Sequence, residues 1–236
     1  MKMKISADSM AETLSLGVDT TNRTIYLIGV VDDEMTARFM IAFRALDAVK
    51  GPIRIVLNSG GGSEPAGFAI YDILKLARNP VTIDCYGLVQ SIAALILQAA
   101  KRRRMSPECR FMIHNGHLEL PGHPVYQGTI VAISRETEKM TARYKEILAE
   151  SSGASAKNIK KWCDDERYFS AHETVTLGFA DEVIDSPEKV ELPKTKRRRG
   201  AVDALESAIQ ISEEEFLEIL GGAAKPGRRK PRKRKQ

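Results

Sequence analysis

Apolar positions along the chain recur in two rhythms. Short β-branched runs bounded by turn residues stand at 23–29 (RTIYLIG), 52–58 (PIRIVLN), 80–87 (PVTIDCYG) and 109–115 (CRFMIHN). Each predicts a strand. The first three are followed by stretches with helical spacing, from Asp33, from Glu64, and over Gly87–Ala100 (GLVQSIAALILQAA). Strands about 28 residues apart that return through helices are β-α-β units, so the pattern predicts an α/β fold with a largely parallel sheet and right-handed crossovers.

A Gly/Pro-rich segment, GHLELPGHPVYQG, follows the fourth strand. After it, Ile130, Ile133, Met140, Tyr144, Ile147 and Leu148 keep helical spacing over 129–151 with charges between them. This predicts one long amphipathic helix projecting beyond the sheet as a surface for subunit contact. A further helix is expected from Ala154 (ASAKNIKKWCDD), then a short one that Gly178 ends before a last strand. From residue 186 the chain turns linker-like. Ser212 and Glu215 have capping-box spacing ahead of a Phe216, Ile219, Leu220 stripe that Gly221 stops. The expected organisation is a short N-terminal segment (1–22), one domain (23–185), a linker with an acidic amphipathic helix (186–224) and a disordered basic tail (225–236).

Composition narrows the class. With 236 residues and 43% hydrophobic content the chain can bury a full core. No window approaches the roughly 18 apolar residues of a membrane span, and the N-terminus lacks the apolar segment of a secretory signal. A cytoplasmic protein without membrane contact is expected. Cys85, Cys109 and Cys163 are isolated, which suits a reducing compartment and offers no zinc spacing. His117 and His123 have no paired carboxylate or cysteine spacing, and His172 sits in a capping-like turn, so neither a metal nor a cofactor is expected. The net charge of +5 belongs to the tail: Lys225, Arg228, Arg229, Lys230, Arg232, Lys233, Arg234 and Lys235, once subtracted, leave the rest of the chain at −3. Such a tail can neutralise phosphates, which makes nucleic-acid contact one expectation and a solvated tail the other. It has no interleaved aromatic for base stacking.

Candidate chemistry converges at the strand ends. In an open parallel sheet, ligands sit outside the carboxyl ends of the strands. Here those ends carry NSGGGS after the second strand, Ser91 after the third and His114 on the fourth. A hydroxyl, an imidazole and a glycine-rich turn with free N–H groups are the parts of nucleophilic acyl transfer. Each also has a plainer reading: Ser91 as a helix cap, the glycines as a flexible turn, His114 as a structural side chain. The glycines do not form a phosphate loop, and Ser91 lacks the G-x-S-x-G elbow of α/β-hydrolases.

Four ordered motifs then carry a family resemblance. NSGGGSEPAGFAIYD resembles the N-S-P-G-G-x-x-x-A-G-x-x-I-Y-D segment of the Clp protease proteolytic subunit family, ClpP. GLVQSIAAL resembles its nucleophile segment, RFMIHNG its histidine segment, and ERYFSAHETVTLGFADEVID its C-terminal motif. The match spans about 23–185, and in outline the chain is also similar to phage-encoded ClpP-like peptidases of capsid maturation. The resemblance implies a ClpP/crotonase-like repeated β-α-β superhelix with a projecting handle helix. It implies serine endopeptidase activity on peptides or unfolded proteins in a homo-oligomer, a heptameric ring or stacked rings.

The resemblance further implies Ser91 as nucleophile, His114 as general base, and an oxyanion hole from the N–H groups of Gly62 and Ile92. Substrate would lie extended near Ser63, Leu118 and Leu120. The family's acid corresponds to Glu166, with Asp165 as the alternative. Asp165 stands where the family usually has an Arg that couples ring-to-ring assembly to the active site. The family's double glycine of the substrate-binding strand has no counterpart here, and the segment before Arg23, which in the family helps to dock a Clp-type ATPase, is short. Two other readings stand beside this one: a catalytically impaired ClpP-like subunit for assembly or regulation, and a crotonase-like acyl-CoA enzyme, whose chemistry does not use a serine-histidine pair.

Overall fold

The computed structural model describes residues 17–116 and 126–185. Strands β1 (Val18–Asp19), β2 (Thr24–Val31), β3 (Ile53–Gly62), β4 (Val81–Gln90), β5 (Arg102–Met105) and β8 (Glu182–Val183) lie in the order β1-β2-β3-β4-β5-β8. Strand β6 (Arg110–Ile113) pairs with β4 and with β7 (Arg167–Phe169). All pairings are parallel except β1 with β2 and β6 with β7. The parallel core expected from the repeating units is therefore present, with antiparallel strands at its margins.

Helix α1 (Asp33–Asp47) follows β2, α2 (Glu64–Lys75) follows β3, and α3 (Ile92–Gln98) follows β4. Each of the first two starts where a side-chain oxygen takes up an orphan N–H: Asp32 for α1 and Ser63 for α2. Every residue of α3 is buried, against Ile53, Ile55, Leu57, Ile83 and Val89 in one continuous core. Gly67 of α2 admits Ile92 of α3, because a methyl group at Gly67 would collide with the Ile92 side chain. A helix so enclosed is a rigid mount for what precedes it.

The sheet bends at one level. The β2–β3 ladder slips between Ile28 and Val30, and the β3–β4 ladder between Leu57 and Ser59. Strand β4 changes partner there: Thr82–Cys85 pair with β5, Leu88–Gln90 with β6. Gly87 makes the bend with φ 63°, and the Asn58 Oδ1 accepts the Leu88 N–H at 3.1 Å to hold it. The bend carries the ends of β3 and β4 together beyond the core.

Strands β1, β4, β5 and β7 differ from the sequence reading. Strand β4 runs to Gln90, beyond the strand expected over 80–87, and the helix starts at Ile92, directly after the serine read as its cap. Strands β5 and β7 have no apolar alternation to announce them. Strand β5, RRRM, is held by charge: Arg104 bonds the buried Asp84 of β4, Arg103 bonds Asp181 at 2.6 Å, and Arg102 pairs with Glu182 at 2.7 Å.

Helix α4 (Gln127–Ser152) has 26 residues, and its only buried ones are Tyr144, Ile147 and Leu148, all near its C-terminal end. Gly153, left-handed at φ 73°, closes it. Helices α5 (Ala156–Asp164) and α6 (Ala171–Thr176) complete the domain, the latter opened by a reciprocal Ser170–Glu173 capping box. Among the described residues no helix is long and apolar enough to cross a membrane. Leu118, Leu120, His117, His123, most of the 1–22 segment, the 186–224 stretch and the basic tail lie outside the described residues, and nucleic-acid contact by that tail rests on its charge alone.

Candidate active site

Ser91 stands in the one-residue step between β4 and α3, with φ 56° and ψ −128°. A non-glycine residue there carries backbone strain of about 1–3 kcal/mol, which persists only where the surroundings enforce it. They do so from both sides. The Ser91 N–H donates to the Met112 carbonyl of β6 at 2.9 Å, and the Ser91 carbonyl accepts from the Ala94 N–H at 3.0 Å and the Tyr144 hydroxyl at 3.1 Å. The side chain caps nothing. Its Oγ lies 2.8 Å from Nε2 of His114, so the helix-cap reading of this serine gives way to a serine-imidazole pair.

His114 directly follows β6, which runs parallel to the end of β4 with Gln90 opposite Met112. That register sets the imidazole beside the serine. With Nε2 accepting the Ser91 proton, Nδ1 carries the ring N–H. An acid that orients the ring therefore has to come from the far side, where β7 pairs with β6.

The β6–β7 register pairs Phe111 with Phe169, Met112 with Tyr168 and Ile113 with Arg167. The paired ladder ends at Ile113 and Arg167; His114 follows β6 and Glu166 precedes β7, each one residue beyond the last pair. In the structure the Glu166 side chain is exposed and forms no hydrogen bond or ion pair among the described residues, and its backbone has φ 48°. Asp165 is exposed at the C-cap of α5. The acid that is engaged near the histidine is one the sequence did not single out: Asp164 accepts from Asn115 Nδ2 at 3.1 Å and from Lys160 Nζ at 2.5 Å. Those bonds, Lys160 first and Asn115 second, hold its carboxyl below the usual carboxylate range.

The glycine turn closes the third side. Gly61 is buried at φ 99°, and a Cβ there would lie 2.5 Å from Ser91 Cβ and 2.9 Å from the Gln90 carbonyl. Its N–H donates at 3.0 Å to the hydroxyl of Ser59, itself 2% exposed. Gly62, at φ 150°, is pressed to β2, where a Cβ would collide with the Val31 carbonyl. Gly61 and Gly62 can thus only be glycine on both counts, space and φ. Ser63 is exposed; its hydroxyl faces the Ala66 N–H as the α2 cap and its N–H bonds the Val31 carbonyl at 2.8 Å. Ile92 is the first residue of α3, so its N–H has no carbonyl one turn back within the helix.

No thiol competes as nucleophile. Burial pushes Cys109 up to about 12, Cys163 up to about 11 and Cys85 well above its ordinary value, which keeps all three protonated. Among the described residues no group of three or more His, Cys, Asp or Glu could hold a metal ion. Besides Asp164, two residues of the site escape sequence reading. Ser59 is hidden because its role depends on the turn's shape, and Tyr144 because it reads as one more member of an apolar stripe.

Comparison with known proteins agrees with this architecture. The family model described as Clp protease matches residues 9–187. The ATP-dependent Clp protease proteolytic subunit 2 of Treponema denticola is 32% identical over 176 residues, covering 71% of this chain and 86% of that protein. Subunit 3 of a Synechococcus is 33% identical over 177 residues, covering 73% and 86%. Among solved structures, an asparagine-to-aspartate mutant of ClpP1 from Listeria monocytogenes superposes with a TM-score of 0.63 at 27% identity, covering 74% of this chain and 96% of that one. The fold is accordingly the crotonase-like α/β fold of ClpP. Since the match runs through every strand and helix that holds Ser91 and His114 in place, the chain belongs to the Clp protease family.

Proposed function

We propose that this protein hydrolyses peptide bonds by acylation of Ser91. The observation that carries the proposal is the 2.8 Å contact between Ser91 Oγ and His114 Nε2 at a serine held with positive φ and capping nothing. His114 takes the hydroxyl proton as Oγ attacks the scissile carbonyl, then returns it to the leaving amine. The N–H of Ile92 binds the developing oxyanion. Because Ser59 holds the Gly61 N–H, the next amide of the turn, Gly62, is its partner donor. Water activated by the same imidazole then releases the acyl group.

Glu166 is the orienting acid in this reading, favoured over Asp165 because it directly precedes β7, the strand paired with the one that leads to His114. The substrate is an extended peptide or unfolded chain lying past Ser63 and the 118–120 segment. The long helix α4, with no buried residue before Tyr144, is the surface on which copies join into a ring. The three free, buried thiols suit a cytoplasmic location. Short peptides need no unfolding, so their cleavage does not depend on a Clp-type ATPase.

Cleavage of a fluorogenic peptide tests the assignment. Ser91→Ala and His114→Ala are expected to lower kcat by at least about 10³-fold with the circular dichroism spectrum unchanged. Glu166→Gln is expected to lower it by about 10²–10⁴-fold and Asp165→Asn by less than about three-fold. Cleavage that survives Ser91→Ala overturns the proposal. A second reading has one observation in its favour: the Glu166 carboxylate has no hydrogen bond or ion pair among the described residues, as in a subunit whose catalytic acid has been released. A wild-type protein that cleaves no peptide supports that reading.

A further inference from the structure

Tyr144 links the long helix to Ser91. It is 5% exposed, sits on the fifth turn of α4, and its hydroxyl donates to the Ser91 carbonyl at 3.1 Å. That carbonyl belongs to the peptide unit joining Ser91 to Ile92. A peptide unit is planar and trans, so fixing its C=O fixes the opposite direction of its N–H. The N–H in question is that of Ile92.

We propose that Tyr144 is a positioning residue for the oxyanion hole: by holding the Ser91 carbonyl it aims the Ile92 N–H at the reacting carbonyl oxygen. The inference rests on the reading of Ser91 as nucleophile and Ile92 as oxyanion donor. The Ala94 N–H bond to the same carbonyl, 3.0 Å, comes from the helix start itself. The Tyr144 bond comes from 53 residues away and ties that carbonyl to α4 as well. It also polarises the peptide, since a hydrogen bond accepted at C=O strengthens the donor at N–H. The Ser91 N–H is fixed independently by Met112 of β6 and the Oγ by His114. Of the groups that must be placed for acyl transfer, the Ile92 N–H is the one whose direction depends on α4.

Burial keeps the Tyr144 phenol well above its ordinary value, so its hydroxyl stays a donor wherever His114 titrates. Loss of the hydroxyl therefore lowers the rate by one factor at every pH, without moving the profile. A residue acting on His114 would move it.

The test is Tyr144→Phe, which keeps the ring in its buried place. The full-length protein is assayed on a fluorogenic peptide, with rates taken per serine titrated by a fluorophosphonate, so any unfolded fraction drops out. The expected result is kcat lower by about five-fold, the effect of one intramolecular hydrogen bond, with KM unchanged and the same ratio across the pH profile. A kcat per titrated serine equal to that of wild type overturns the proposal, and so does a ratio that changes with pH. Ser91→Ala in the same assay separates the two failures. If that variant is silent and Tyr144→Phe is unaffected, only the role of Tyr144 falls. If Ser91→Ala still cleaves, the reading of Ser91 falls with it.

Discussion

Ser91 spends about 1–3 kcal/mol of backbone strain to put its hydroxyl beside an imidazole instead of over the end of a helix. Three neighbours hold it there: Met112 through the N–H, Tyr144 through the carbonyl, and Gly61 by leaving no room on the third side. The last of these is directly testable. Gly61→Ala would place a methyl 2.5 Å from Ser91 Cβ at a φ of 99° that an L residue rarely adopts. Peptide cleavage per folded molecule should fall at least about ten-fold, and the thermal midpoint should drop by an amount matching about 1–3 kcal/mol. A variant with wild-type cleavage and midpoint would show that the turn does not press on the nucleophile. Ser91 and His114 were legible in the sequence because a glycine turn, a hydroxyl and an imidazole end successive strands. The plainer reading of Ser91 as a cap fails for a reason that spacing cannot carry: its φ and the direction of its Oγ are set by β6, 20 residues downstream.

At the level of elements, the apolar strands announced themselves and the charged ones did not. Strands β2, β3 and β4 carry β-branched alternation and bury it. Strand β5 is three arginines and a methionine, and it is a strand because Asp84, Asp181 and Glu182 are waiting on both sides of it. Asp84 has no exposed surface and faces Arg54 and Arg104 together. Asp84→Ala removes the carboxylate while both guanidiniums stay half-buried or deeper, so it should destabilise the domain by about 3 kcal/mol in a urea titration. A loss under about 1 kcal/mol would mean that β5 is held by its backbone ladder alone. The acid of the site was half legible for a related reason. Glu166 and Asp165 are adjacent in sequence and both are exposed, so spacing does not choose between them. Asp164, the carboxylate that does bond near the histidine, was passed over because its partner Asn115 is 49 residues away.

For the whole molecule, the Ser91–His114 pair and the long helix are parts of one arrangement. Helix α4 has no buried residue over its first turns and joins the core at Tyr144, Ile147 and Leu148, with Tyr144 bonded to the Ser91 carbonyl. A neighbouring copy seated on the exposed turns would thus be mechanically continuous with the Ile92 N–H. The length of this helix was legible in its spacing over 129–151, and its connection to Ser91 was not, because Tyr144 differs from a buried leucine only by the hydroxyl at its tip. The most direct test of the account is native mass spectrometry of the full-length protein after treatment with a fluorophosphonate, alongside Ser91→Ala. The prediction is an assembly of several chains with one adduct per chain, mapped to Ser91, and an assembly of the same size with no adduct for the variant. A wild-type protein that takes up no adduct, or a Ser91→Ala variant that does, would contradict it.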